Sequence, residues 1–214
     1  MLNLHAIEPF AIGGTRRCYV HPGDPTRCVK VLRPDRTPSA RRAVVTGWRR
    51  FKRLQNFDDQ RKETEAYRHL KRSGQLDYTH VPRFYGTVET DQGVGIVTAL
   101  FRDFDGGFPK NLEELLPGGM TVTLENAIDE FKQWLRRERF LTRDLLPHNI
   151  IAVADSPERY RLVIVDGIGN SEFIPLSHWF KFCARAKIER KLSKFDYRVR
   201  ILLPARTDDS DAGA

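Results

Sequence analysis

Thr142-Arg143-Asp144-Leu145-Leu146-Pro147-His148-Asn149 follows a run with helical periodicity and precedes two short β-rich segments. The stretch therefore reads as a loop, and it presents a carboxylate and a carboxamide on one short piece of chain. Upstream, residues 123–140 place Leu124, Ala127, Ile128, Phe131, Trp134 and Leu135 on one side of a helix. Glu125, Asp129, Lys132, Arg136 and Arg137 fall towards solvent. Thr123, with Glu125 and Asn126, is the expected cap. Downstream, residues 150–154 and 160–165 read as two strands around Asp155-Ser156-Pro157-Glu158-Arg159. Val163-Ile164-Val165-Asp166-Gly167 sets a second carboxylate at a strand end. A helix or pair of helices is expected over residues 175–195.

The first half of the chain has a different texture. Residues 6–12, 17–21 and 27–32 alternate or are rich in β-formers, with Gly13-Gly14 and His21-Pro22-Gly23-Asp24-Pro25 as turns between them. Helices are expected over 39–54 and 58–73, the second stopped by Gly74. Strands return at 83–89 and 94–101 around the tight turn Thr90-Asp91-Gln92-Gly93. Within Cys28-Val29-Lys30-Val31, alternation turns Lys30 away from Val29 and Val31. The pattern is an α+β chain, a five-stranded antiparallel lobe with an inserted helix, then a smaller, mostly helical lobe. Residues 1–102 form the first lobe, 103–119 the hinge or connector, 120–200 the second lobe, and 201–214 a disordered tail.

Charge and length exclude several classes. The 214 residues carry a formal net charge of +8, with 40% hydrophobic residues, enough for a sizeable core and against overall disorder. The longest apolar stretch, 94–101, is far short of the roughly 20 residues that span a bilayer. The N-terminus lacks the pattern of an export signal. Cys18, Cys28 and Cys183 show no paired spacing, and the six histidines do not cluster. A cytoplasmic protein without a structural metal is expected. Trp48, Trp134 and Trp179 read as core anchors and His148 as a loop residue beside the site.

The positive charge is local. Segment 27–53, whose basic residues run from Arg27 through Lys30 and Arg33 to Arg53, holds ten Lys and Arg against Asp35, a net of +9. Segment 181–200 holds eight against Glu189 and Asp196, a net of +6. Such stripes suit an acidic protein partner or another polyanion at 27–53, or serve as a solvated face. Nucleic acid is not favoured, since no base-reading fold accompanies them.

The polar residues, in this order and on these elements, resemble the protein kinase-like superfamily. Val29-Lys30 looks like the lysine of Val-Ala-Ile-Lys. Arg143-Asp144-Leu145 with Asn149 resembles the Arg-Asp-Leu-x-x-x-Asn catalytic loop, and Asp166-Gly167 stands for Asp-Phe-Gly. More narrowly, the chain resembles the YrbL family, kinase-like proteins named for the PhoP regulatory network. That likeness rests on Cys18-Tyr19-Val20-His21-Pro22, Arg27-Cys28-Val29-Lys30, Val81-Pro82-Arg83-Phe84-Tyr85-Gly86-Thr87-Val88-Glu89-Thr90-Asp91, Asp103-Phe104-Asp105-Gly106 and Ile174-Pro175-Leu176.

The resemblance implies ATP and magnesium as cofactors. Lys30 would bind the α- and β-phosphates and be held by Glu63 of the following helix, with Glu65 as the competing partner. Gly13, Gly14 and Thr15 would line the phosphates, Asn149 and Asp166 would hold magnesium, and Asp144 would orient or deprotonate an acceptor hydroxyl. The pattern departs from the superfamily at several points. Thr15 and Cys18 stand at glycine positions of the phosphate loop, where Arg16 and Arg17 offer charge instead or form a solvated turn. Thr142 stands for histidine, Leu146 for lysine and Gly167 for phenylalanine. Only 48 residues follow Asp166, which implies a reduced second lobe. Three functions remain open: a phosphotransferase with an unidentified acceptor, a weak or inactive pseudokinase acting as a nucleotide-responsive regulator, and a basic polyanion-binding module.

Overall fold

The computed structural model describes residues 1–47, 53, 57–73, 77–138, 140, 142, 145–168 and 181–205. The chain divides into two compact units, Met1–Phe101 with Gly167–Pro175 and Arg102–Asp166 with Leu176–Ala214. The fold is α+β, with a five-stranded antiparallel sheet in the first unit and a mostly helical second unit.

The sheet contains β1 (Ala11–Ile12), β2 (Arg16–His21), β3 (Asp24–Leu32), β4 (Phe84–Thr90) and β5 (Gly93–Ala99), in the order β1-β2-β3-β5-β4. Antiparallel register sets Cys18 opposite Lys30, Val20 opposite Cys28 and Arg16 opposite Leu32. It also sets Lys30 opposite Ile96 and Cys28 opposite Thr98. Directly paired residues share a face, so Arg16, Cys18, Cys28, Lys30, Ile96 and Thr98 line one side. Tyr19, Val29, Val31 and Val97 line the other.

The Tyr19 face is closed by the N-terminal segment, whose Leu4 packs with Tyr19, Val29 and Val31 while Leu2, Ile7 and Val88 lie around them. The β4–β5 turn holds that segment. Asp91 accepts the Leu4 N–H at Oδ1 (2.8 Å) and the His5 N–H at Oδ2 (2.9 Å), and the Leu2 N–H donates to the Glu89 carbonyl. This is why the strand expected over residues 6–12 is only Ala11–Ile12. Of the residues before it, Leu2, Leu4 and Ile7 are committed to packing and to the turn, and Phe10 still donates to β2, to the Cys18 carbonyl at 2.9 Å.

The opposite face carries α2 (Asp59–Ser73). Asp58 caps it, accepting the Arg61 N–H at 2.9 Å. Gln60, Glu63, Thr64 and Tyr67 follow the i, i+3, i+4, i+7 spacing and are buried. Gln60 donates to the Val94 carbonyl at 2.7 Å, and Tyr67 stacks on Phe84 at 4.9 Å between ring centroids. Of the helix expected over 39–54, the described helical part is α1 (Pro38–Val44), and residues 48–52 and 54 lie outside the described residues. α1 stops where Val45 turns extended and Gly47 takes a positive φ of 68°, consistent with the β-branched run Val44-Val45-Thr46.

The second unit is built around α4 (Val122–Glu138), preceded by the short α3 (Leu112–Leu115) with an Asn111–Glu114 capping box. Thr121, rather than Thr123, caps α4 by accepting the Leu124 N–H at 3.2 Å. The six apolar residues expected on one side of α4 are all buried. Phe131 meets Phe195 of α5 (Lys181–Leu202) edge-on at 6.2 Å. Two ion pairs run alongside, Lys132 to Asp196 at 2.8 Å and Arg136 to Glu189 at 2.9 Å. α5 extends to Leu202, past the 195 expected. The strands β6 (Ile150–Ser156) and β7 (Arg159–Ile164) form a hairpin whose Ile150, Ala152, Val153, Leu162, Val163 and Ile164 are buried. Among the described residues, no helix is long and apolar enough to cross a membrane.

Gly95 is a point of close approach in the sheet: a Cβ there would lie 2.7 Å from Val29 Cγ1. Gly95→Ala should therefore destabilise the chain by about 1–3 kcal/mol, the usual cost of overpacking a close contact. Equilibrium urea unfolding measures this, with an unchanged midpoint as the contrary result.

Candidate functional site

Lys30 occupies a buried position in the first unit. It lies in the central strand β3, is only 6% exposed, and is flanked in sequence by Val29 and Val31 on the opposite face. A buried ammonium needs anionic company, because the desolvation of an isolated charge is prohibitive. The face it shares receives α2, and α2 brings one buried carboxylate there, Glu63 at 4%.

The ion pair observed for Glu63 is with Arg16: Nη2 of Arg16 lies 2.7 Å from Oε2 of Glu63, and both side chains are almost wholly buried. Arg16 opens β2 and points, like Cys18, to the Lys30 face. It is neither a residue of a solvated turn nor a charge displayed on an open loop. Arg17, on the other face, is half-buried. Glu65 sits on the solvent side of α2, bound to Arg61 at 2.7 Å with both side chains about half exposed. Two residues along a helix is a turn of roughly 200°, so burial of Glu63 sends Glu65 outward.

The Gly13-Gly14-Thr15 turn joins β1 to β2. Gly13 donates its N–H to the Arg16 carbonyl at 2.9 Å, and Thr15 accepts the Arg33 N–H at 3.0 Å. Both glycines are exposed, and a Cβ on Gly14 would meet nothing within 4 Å. Cys28, expected as a buried thiol, is buried at 3%, while Cys18 is half-buried. A hydrogen bond with Cys18 and then burial push the Cys28 thiol well above its ordinary range, and the nearby Lys30 charge offsets only part of this.

In the second unit, Asn149 ends a 3-10 turn, Pro147–Asn149, closed by its N–H on the Leu146 carbonyl at 2.9 Å. The Asn149 carbonyl accepts the Val165 N–H at 2.9 Å. This continues the β6–β7 ladder, in which Ile150 faces Ile164. The hairpin thus brings Asn149 opposite the residue preceding Asp166. Amide and carboxylate oxygens are the donors a hard cation prefers, and magnesium commonly fills its remaining positions with phosphate oxygens and water, so this donor set fits magnesium. Among the described residues, no group of three or more His, Cys, Asp and Glu could hold a metal alone. Leu145, beside the catalytic-loop motif, is buried, and its carbonyl accepts a hydrogen bond from Arg198 of α5 at 3.1 Å. Thr142 is buried at 1%. His148 is half-exposed, 3.8 Å from Glu113. Asp144 and Arg143 lie outside the described residues, as do Trp48, Trp179 and residues 206–214.

The basic segment is less open than its charge suggests. Arg27 pairs with Asp24 at 2.8 Å and lies over the Tyr85 ring at 4.3 Å. Arg33 and Arg36 both pair with Asp35. Arg41 donates to the Phe57 carbonyl at 3.2 Å.

Removing one member of a buried pair strands the other's charge. Arg16→Gln and Glu63→Gln should each cost about 3 kcal/mol, and the double substitution should cost less than the sum of the two. Strict additivity in chemical denaturation would exclude the coupling. Because the thiolate is the reactive form, Cys28 should resist iodoacetamide at pH 8 in the folded chain and react on unfolding. Peptide mass mapping reads the outcome, and rapid labelling under native conditions would contradict it.

Comparison with known proteins bears on the whole chain. The family described as PhoP regulatory network protein YrbL matches residues 2–199. YrbL of Escherichia coli (strain K12) is 32% identical over 97% of this chain and 92% of its own length, and YrbL of Shigella flexneri matches equally. Among solved structures, one variant of the kinase domain of Mycobacterium tuberculosis PknI is similar at a TM-score of 0.43 and 18% identity. The match covers 76% of this chain and 59% of that domain. A second variant gives 0.45 and 16%, over 75% and 58%. The chain spans less than two thirds of those kinase domains. With the matching model and the curated relatives both extending over nearly its full length, the chain belongs to the PhoP regulatory network protein YrbL family.

Proposed function

We propose that this chain is a kinase-like protein that binds ATP with magnesium and transfers the γ-phosphoryl group to an acceptor hydroxyl. The observation that carries the reading is Lys30. A lysine held 6% exposed in the central strand, on the face to which α2 delivers a buried glutamate, is costly for the fold. It is useful where an anion must be bound.

Lys30 holds the α- and β-phosphates, with Glu63 as the helix carboxylate on its face. Gly13, Gly14 and Thr15 would lie along the phosphates, and Asn149 and Asp166 would hold the metal through oxygen. Magnesium supplies charge neutralisation of the phosphates when bound. Asp144 orients the acceptor and takes its proton. The acceptor oxygen bonds to the γ-phosphorus, the bond from that phosphorus to the bridging oxygen breaks, and the electron pair leaves with ADP.

A regulator that binds nucleotide without efficient turnover is the second reading. It is favoured by Leu146 and Thr142, which replace the lysine and histidine of the catalytic loop, the latter buried. The two readings share the binding site and part only at turnover.

Thermal melting with and without Mg-ATP tests the common ground. Ligand at about a hundred times its Kd adds about 2.7 kcal/mol, which for this size should raise Tm by about 5 to 10 °C. No shift at millimolar nucleotide would sink both readings. Asp166→Asn should remove the magnesium dependence of the shift. Asp144→Asn should leave the shift intact and abolish ATP turnover, and turnover that survives in this variant would displace Asp144 from its role.

A further inference from the structure

Arg16, expected as a charge at the phosphate loop or in a solvated turn, is instead buried against Glu63. It stands one residue beyond the Gly13-Gly14-Thr15 turn, and its carbonyl accepts the Gly13 N–H at 2.9 Å. Its guanidinium reaches the opposite way, into the interior, and meets Glu63 at 2.7 Å. Register places Arg16 opposite Leu32 and Cys18 opposite Lys30, so Arg16 and Lys30 lie on one face, displaced by a single pleat repeat of roughly 7 Å along the strands. Two buried cations and the buried carboxylate of α2 therefore share one surface of the sheet.

We propose that Arg16 is a positioning residue for the phosphate site: it fixes the Glu63 carboxylate against the sheet, and through that carboxylate it sets the Lys30 ammonium for phosphate. The inference rests on the nucleotide reading above and adds to it the group that holds the helix carboxylate. The chemistry of the two cations divides the work. Arginine presents a rigid planar fork that keeps its charge, so it suits a permanent counter-ion. Lysine is a compact charge on a flexible stem that can turn to a ligand. Two further clamps on α2 among the described residues are uncharged. Gln60 on the Val94 carbonyl and Tyr67 on Phe84 hold the helix down, but neither determines where the Glu63 oxygens point. The Gly13–Arg16 hydrogen bond links the same residue to the turn expected to lie along the phosphates, so turn and helix are tied through one side chain and its own backbone.

The experiment is calorimetric titration of the full chain with Mg-ATP, well below the melting temperature, for the wild type, R16Q, R16K, E63Q and R16Q/E63Q. R16Q and E63Q should each weaken binding by about tenfold or more. The double variant should bind no more weakly than E63Q alone, because Arg16 acts through Glu63. R16K keeps the charge and loses the fork, so its loss should be smaller, about threefold. Wild-type affinity in R16Q, with only its thermal stability lowered, would reduce Arg16 to a structural role and overturn the proposal. A double variant weakened by the product of the two single losses would also overturn it, by placing Arg16 on the nucleotide itself. If R16Q does not fold at the working temperature, R16K carries the test, and undiminished affinity there is the overturning result. Failure of the underlying reading is separately visible: the wild type then shows no Mg-ATP binding, and the role assigned to Arg16 falls with it.

Discussion

A helix can rest a glutamate on the inner face of a sheet only if the sheet supplies a cation, because an unpaired buried carboxylate costs several kcal/mol. Here Arg16 meets that requirement, 2.7 Å from Glu63 and almost wholly withdrawn from water. Much of the first unit answers to this contact. α2 must present Glu63 inward, which fixes its rotation, buries Gln60 and Tyr67 and turns Glu65 out to Arg61. β2 must begin with an inward residue at Arg16, which fixes the register that puts Cys18 beside Lys30 and Val20 beside Cys28.

The opposite face of the sheet is mainly an apolar problem. Tyr19, Val29 and Val31 need covering, and the chain's first residues cover them with Leu2, Leu4 and Ile7, held in place by the Asp91 carboxylate. One face is thus closed mainly by burial of hydrocarbon, while the other adds a buried ion pair to its apolar and aromatic contacts. The central strand β3 lies between them, buried from Cys28 to Val31, which accounts for a lysine appearing in an otherwise apolar run. In the second unit the corresponding constraint is the β6–β7 ladder. Its continuation through the Asn149 carbonyl brings an amide and a carboxylate to neighbouring positions, while Arg198 holds the carbonyl of Leu145.

Most strands and helices were legible because their signals are local. The Asp91-Gln92 hairpin, the amphipathic α4 and the apolar alternation around Lys30 each follow from side chains within a few residues. Where reading and structure part, a distant partner intervenes. The strand expected over 6–12 is confined to Ala11–Ile12, because Leu2, Leu4 and Ile7 pack against β2, β3 and β4 and Asp91, 87 positions from Leu4, holds that segment. The cap of α4 moved from Thr123 to Thr121, a shift of two residues of the size that cap signals alone leave open. Glu63 was the expected partner of Lys30, with Glu65 as its competitor. The buried positions 60, 63, 64 and 67 separate them, and that periodicity is present in the sequence, though much of the buried side is polar and gives little hydrophobic contrast.

By itself, the sequence determined the α+β class, the order of the elements, the family likeness across nearly the whole chain, and the identity of Lys30, Asn149 and Asp166 as the residues to watch. Each of these depends on local pattern or on motif order. Only the tertiary structure decided that Arg16 belongs with Glu63, 47 positions away, and that Arg41 reaches the Phe57 carbonyl. A formal charge can be counted along a chain, but whether it is buried, paired or displayed depends on which distant residue folding brings within about 3 Å of it.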